Sequence, residues 1–255
     1  MVQLKTDTSI EAMREAGRVV AQVLAAARKA AAVGVSLREL DEVAREVLRE
    51  AGAGSPFLNY KPHFAPTPFP GVICASVNDA IVHGIPAGQR LRDGDLVSID
   101  AGATLGGWVG DSAISFTVGR ARPADTRLID TAFEALEAGI AAAVVGNRIG
   151  DIAHAIGTVC RTAGYGIPEG FGGHGVGRSM HEDPAVPNEG RPGRGMPLRH
   201  GMVLAIEPML IGSGRDAFHP DRDGWTLRTS DGSRAAHAEH TVAITDAGPR
   251  ILTAL

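Results

Sequence analysis

Two stretches of this chain, offset by 112 positions, read as one piece of structure written twice. VGVSLRELDEVAREVLREAGAG begins at Val33 and VGNRIGDIAHAIGTVCRTAGYG at Val145. Val33, Gly34, Val47, Arg49, Ala51, Gly52 and Gly54 fall on Val145, Gly146, Val159, Arg161, Ala163, Gly164 and Gly166, and Leu37 and Leu40 fall on Ile149 and Ile152. Each copy follows an Ala-rich run; in the first, Met13, Gly17, Val20 and Leu24 recur at three- and four-residue steps. The spacing predicts a helix capped by Ser9 that runs to about Val33 and is broken by Gly34. A second helix follows, capped by Ser36 with Glu39 in a capping box. Its apolar face is Leu37, Leu40, Val43 (or Ala44) and Val47, and Gly52 and Gly54 end it. Two amphipathic helices can resemble each other by chance, but the matched glycines favour duplication. The expectation is one α+β domain over residues 1–255, with an internal pseudo-repeat of about 10–120 and 121–250.

At 255 residues the chain can bury a core without covalent staples. It carries only two cysteines, Cys74 and Cys160, which argues against a disulfide scaffold and fits a reducing, cytoplasmic setting. A net charge of −4 gives no electrostatic reason to expect nucleic acid or an anionic membrane as partner. The first residues, MVQLKTDTSI, lack a signal-peptide core, and the apolar run Val19 to Val33 is interrupted by Arg28 and Lys29.

The chemistry-bearing residues lie between and after the helix pairs. DLVSIDAGATLGGWVGDSAISFT, Asp95 to Thr117, reads as two strands around a glycine turn. With the turn centred on Leu105–Gly106, Asp100 faces Asp111 across the ladder, a repulsive pairing that a divalent cation would reverse. The alternative is a solvated Asp and an accidental register. Upstream, PHFAPTPFPG forms an irregular rim, because each proline removes a donor. VICASVNDAIVHGIP then gives a strand, a turn near Asn78–Asp79, and His83 ahead of Gly84. Downstream, FGGHGVGRSMHEDPAVPN lacks dinucleotide and P-loop spacing but can push His174 and His181 into a cavity. MVLAIEPMLI and AAHAEHTVAIT each set a carboxylate, Glu207 and Glu239, among apolar residues. Such a group needs a partner, and Arg199, Arg228 or Arg234 could equally serve. Four strand carboxylates with one imidazole suit two divalent ions of Mn, Fe, Co or Zn, and hence hydrolase chemistry.

The motifs NDAIVHGIP, SIDAGATLGGWVGDSAISF, GGHGVGRSMHEDPAVPN, AIEPM and DGWTLRTSDGSRAAHAEHTV resemble those of the type I methionine aminopeptidases, from about Ile10 to Thr245. The resemblance implies the pita-bread (creatinase/aminopeptidase) fold, with pseudo-two-fold duplicated halves around a curved antiparallel sheet. It implies Asp100, Asp111, His174, Glu207 and Glu239 as ligands of two divalent ions, with Asp111 and Glu239 bridging. His83 and His181 become substrate-contacting histidines, and Phe69, Cys74, Met180 and Trp225 line a methionine pocket. Glu207 becomes the proton carrier in a metal-activated hydroxide attack on the peptide carbonyl. The implied substrate is the N-terminal methionine of a nascent chain with a small second residue, met at the ribosome by a cytoplasmic monomer.

Subtype and departures can also be read. Only 33 positions separate His174 from Glu207, too few for the helical insertion of type II enzymes, and no cysteine- and histidine-rich extension precedes the first helix. In this the chain resembles the short bacterial form. The rim NYKPHFAPTPFPG departs from the compact Gly-Tyr-His-Gly-like turn usual in the family, which leaves His63 without an assigned role. His154, His200, His219, His237 and His240 are expected to be structural or surface residues. The competing readings are an Xaa-Pro aminopeptidase or prolidase-like peptidase, and a non-catalytic ribosome- or nucleic-acid-binding protein of the same fold.

Overall fold

The computed structural model describes residues 2–63 and 65–255; Phe64, inside the Pro-rich rim, lies outside the described residues. The first helix, α1, spans Asp7–Ala30. It starts three residues earlier than a Ser9 cap predicts. Thr6 is the N-cap and its Oγ1 accepts from the Ser9 amide, so Ser9 sits inside the first turn. It also stops short of Val33. Helix α2, Leu37–Glu50, opens with Ser36 and Glu39 in the expected capping box. Its buried face is Leu37, Leu40, Ala44 and Leu48, with Val43 and Val47 only half-buried. Asp41 is buried on that face too, because its carboxylate accepts from the Val72 and Ile73 amides and from Arg45.

Strands β1 (Ile73–Val77) and β2 (Ala80–Val82) flank the turn at Asn78–Asp79, and β3 (Asp95–Leu105) and β4 (Trp108–Val118) form the long hairpin. Helix α3, Pro123–Ala142, and α4, Ile149–Thr162, follow. The bounds of α4 lie 112 positions beyond those of α2 at both ends. Gly34 and Gly146 take φ of 91° and 97°, conformations that side chains avoid. The remaining strands are β5 (Gly172–Gly175), β6 (Glu182–Pro187), β7 (Val203–Ile206), β8 (Met209–Ile211), β9 (Phe218–Pro220), β10 (Leu227–Thr229), β11 (Ala235–His237), β12 (His240–Thr245) and β13 (Gly248–Ile251).

Every strand pairing among the described residues is antiparallel. The order β1-β3-β4 serves the first half and β13-β12-β7-β5-β6 the second. Shorter groups, β2-β10-β9 and β8-β11, lie alongside, and a bridge between Ala113 and Glu239 joins β4 to the chain entering β12. Helices α1 and α2 cover the first group with a core of Val20, Leu40, Ile73, Val97 and Ile99; α3 and α4 cover the second with Leu136, Ile152, Ile156, Ile206 and Val242. This mixed architecture, with helix pairs backing antiparallel strands, is the pita-bread arrangement. No helix among the described residues is long and apolar enough to cross a membrane.

The hairpin register differs from the expected one by a single turn position. Gly106 and Gly107, at φ 58° and 74°, form the two-residue turn between Leu105 and Trp108. A turn with positive φ at both central residues takes glycines readily and Leu105 poorly. Asp111 therefore faces Gly102, and Asp100 faces Ala113. Because the alternation along a strand has period two, both aspartates still point to one face, now as diagonal neighbours.

Helix α1 lies backbone-to-backbone on this hairpin and on the C-terminal segment. A Cβ built on Gly17 would stand 2.2 Å from the Leu252 carbonyl oxygen, and one on Gly110 would stand 2.9 Å from the Gly17 Cα. Gly17→Ala should therefore destabilise by about 3 kcal/mol or more, the upper end for overpacking, since backbone rather than a flexible side chain must yield. A urea midpoint within experimental error of the parent's would show that the helix can slide.

Candidate metal centre

Strand ends deliver the titratable side chains to one cavity of about 410 Å³. Asp100 and Asp111 come from the long hairpin and His174 from β5; Glu207 leaves the end of β7, and Glu239 enters β12. The cavity is also lined by Phe57, Tyr60, Phe69, Cys74, His83, Phe171, Met180, His181 and Trp225. It holds all of the site residues read from the sequence. Close backbone packing makes this convergence possible: a Cβ at Gly173 would lie 2.0 Å from the Ala205 carbonyl oxygen, and one at Gly175 2.2 Å from that of Asp183. Those glycines let β5 press against β7 and β6, which sets His174 Nε2 3.6 Å from Glu207 Oε1 and 3.9 Å from Asp111 Oδ2.

None of the candidate arginines neutralises these carboxylates. Arg228 pairs with Asp79 and Asp221, and Arg234 with Asp125 and the Gly94 carbonyl. Among the described residues no ion pair joins Glu207 or Glu239 to an arginine. Asp100 Oδ1, Asp111 Oδ1 and Glu239 Oε1 are buried without a hydrogen-bond partner. Burial first, and the neighbouring carboxylates after it, push the Asp111 and Glu239 carboxyls well above the usual range. Burial likewise pushes Asp100 up to about 7. Orphaned buried oxygens on groups driven towards protonation are what a cation would relieve, so the donor set fits divalent ions. Asp111, His174 and Glu239 present ligand atoms within 4.8 Å of one another, as do Glu207, His237 and Glu239.

His237 is the residue that reading the sequence misses. Expected to be structural, it is 1% exposed, with Nε2 3.4 Å from Glu207 Oε2 and 3.8 Å from Glu239 Oε2. Alternation along AAHAEHT was the available signal, since residues 237 and 239 share a parity. His240, beside Glu239, turns the other way and meets Thr253 Oγ1 at 2.8 Å.

The wall opposite the carboxylates is aromatic. Phe69 and Trp225 stack edge-to-face at 5.1 Å, and Trp225 Nε1 donates to the Thr67 carbonyl at 2.9 Å. The two ends of the rim are latched by paired bonds between Phe69 and the Asn59–Tyr60 backbone. His83 sits at φ 60°, uncommon for a side chain and found where function fixes the backbone. Burial lowers its pKa to about 4. His181 stands at the mouth, with its outer edge in solvent and its ring 4.3 Å from that of His174. Loss of water on its inner edge, and then His174, bring it to about 4 as well. Tyr60 Oη lies 3.1 Å from its Nδ1. The loop carrying Met180 and His181 is anchored from behind: Glu182 accepts from the Arg178 and Ser179 amides and from buried Lys5 Nζ at 2.6 Å.

These pKa values carry a stability prediction for metal-free protein. Asp100 has a folded pKa near 7 against an ordinary 3.8, so the folded state holds its proton more tightly. Stability from that group is complete below about 4 and lost as pH rises to about 7. In chelator, the stability advantage of Asp100→Asn over the parent should grow across that window and then level off. Urea titrations that give a pH-independent difference would refute the assignment.

Comparison with known proteins agrees with this geometry. Residues 11–246 match metallopeptidase family M24. Methionine aminopeptidase 1 of Mycobacterium tuberculosis is 53% identical over 99% of this chain and 95% of its own length. Methionine aminopeptidase 1 of Bacillus subtilis is 42% identical over 99% of both. The crystal structure of methionine aminopeptidase from Thermotoga maritima superposes over the whole of both chains with a TM-score of 0.95 at 38% identity. The prolidase of Pyrococcus furiosus shares the fold at 23% identity and TM-score 0.78, with only 65% of its chain covered. This chain belongs to metallopeptidase family M24, alongside the methionine aminopeptidases of bacterial size.

Proposed function

We infer that the chain is a metal-dependent aminopeptidase that removes the N-terminal methionine of nascent proteins and peptides when the second residue is small. The observation that carries this is a set of carboxylates with buried, unpartnered oxygens opening directly onto a pocket of Phe69, Cys74, Met180 and Trp225. Asp100, Asp111, His174, Glu207 and Glu239 would hold two divalent ions drawn from Co, Mn, Fe or Zn. When bound, the ions supply Lewis acidity at a carbonyl and a water of lowered pKa.

The protein's own groups do the rest. An unbranched thioether fits the slot walled by the stacked Phe69 and Trp225 rings, where sulfur gains from contact with the rings. Cys74 is a wall of that slot and not a nucleophile, because burial and the nearby carboxylates push its thiol well up. His83 and His181 remain neutral at physiological pH and can each donate one N–H without bringing charge. His83 holds the scissile amide. His181, with Nδ1 turned to Tyr60, offers its other nitrogen to the oxygen that gains charge. Glu207 carries the proton to the leaving amine; its two oxygens lie between the imidazoles of His174 and His237. Tyr60 and His181, in contact through the Tyr60 hydroxyl, crowd one side of the mouth, and this crowding selects a small second side chain. The setting that fits is a monomeric single-domain enzyme in the cytoplasm, acting on chains as they leave the ribosome.

Two measurements test the reading. Met-Ala-Ser should be cleaved, and Leu-Ala-Ser, Met-Lys-Ser and Ala-Pro-Ser hardly at all; comparable turnover of any of these three would displace the methionine reading. His83→Ala and His181→Ala, saturated with metal, should bind ions as the parent does yet lose about 10²-fold or more in kcat, the magnitude for a lost transition-state donor. A variant that keeps the parental rate has no catalytic histidine at that position.

A further inference from the structure

One imidazole beside the carboxylate cluster has no task in the reaction just described. His237 ends β11, and its backbone is held rigidly: the amide donates to Ser115 Oγ at 2.9 Å, and its carbonyl accepts from the same hydroxyl at 2.7 Å. Ser115 Oγ is itself 2.7 Å from Ser98 Oγ, so β3 and β4 together fix where the ring points. It points into the cluster. Its Nε2 is fully buried and has no hydrogen-bond partner, although carboxylate oxygens of Glu207 and Glu239 lie 3.4 and 3.8 Å away. Leaving a buried ring nitrogen unpaired is destabilising, so the arrangement calls for a partner that the side chains do not supply.

The spacing says which kind of partner. Ligands about 2.0–2.2 Å from a tetrahedral ion stand roughly 3.3–3.6 Å from one another, too far for good hydrogen bonds and close to the separations at Nε2. His174 shows the same pattern, with Nε2 3.6 and 3.9 Å from its two carboxylate oxygens. The two imidazoles thus stand alike, one beside Asp111 and Glu207, the other beside Glu207 and Glu239.

Resting on the metal-centre reading above, we propose that His237 is a second imidazole ligand, binding through Nε2 the ion that Glu207 and Glu239 hold. The site then offers four carboxylates and two imidazoles. The added nitrogen moves its preference away from Mg and towards Zn, Fe and Co, which imidazole suits better.

The test uses the full-length protein loaded with two equivalents of Co(II), followed by proton NMR of exchangeable, hyperfine-shifted imidazole N–H signals. Two such signals are expected in the parent, with one lost in His237→Ala and the other in His174→Ala. Calorimetry should show one Co(II) equivalent binding roughly tenfold or more weakly in His237→Ala, at least the loss usual for residues around a metal. His237→Gln, closer in volume, serves if the alanine variant fails to fold, and the signal count in the parent needs no variant. One signal in the parent, or a pair that survives in His237→Ala, overturns the proposal while leaving the metal centre intact. Absence of any Co(II) binding would instead overturn the metal-centre reading itself.

Discussion

Confined negative charge is the constraint on which this molecule turns. Asp100, Asp111, Glu207 and Glu239 line one cavity, and Asp111 and Glu239 in particular are sealed from water. Like charges so close in a poorly solvated space cannot all stay ionised without compensation. Among the described residues no arginine pairs with them, although Arg228 and Arg234 are near in sequence and make well-formed pairs elsewhere. The fold therefore stores an instability at its centre and distributes the burden over the cores behind. Those cores are made of ordinary aliphatic packing under α1–α2 and α3–α4. That separation of tasks is physically sensible: the helices stabilise, and the strands can then afford unfavourable groups.

The strands position those groups with little freedom. Candidate ligands lie on hairpin strands or at strand ends, never in the long connecting loops, so pairing registers fix them to within the tolerance of the ladder. The bridge of Ala113 to Glu239 and the bonds of Thr241 to Asp111 stitch the two halves together at the level of the carboxylates. A centre shared between two related halves is then held by both cores. Loosening either one would spread the ligands apart.

Much of this is legible in the sequence because it rests on local rules. Helix caps, glycine breaks and the repeat offset all follow from residue chemistry within a few positions, and α2 and α4 obey it at both ends. Isolated acids in apolar runs likewise single out Glu207 and Glu239 without a structure. What escapes is what depends on neighbours distant in sequence. The hairpin register is a local exception, set by which two adjacent residues accept positive φ, and these are Gly106 and Gly107 and not Leu105. Asp41 on an apolar helix face makes sense only once the Val72 and Ile73 amides arrive above it. His237 escapes although its two-residue spacing from Glu239 suggests a shared face, because only the folded chain brings Glu207 to its ring.

The pair of buried Lys5 and half-buried Glu182 ties the start of the chain to the loop that bears Met180 and His181. Breaking such a pair leaves a charge stranded in a dry environment, so the loop has no inexpensive way to swing outward. The mouth of the cavity is then a fixed aperture and not a lid. A chain end arriving from solution finds its binding surface already shaped, and little ordering entropy remains to be lost on the protein side when it docks. Selection would follow from whether the first side chain passes through that aperture at all, with departure of the freed amino acid governed by the depth of its seat.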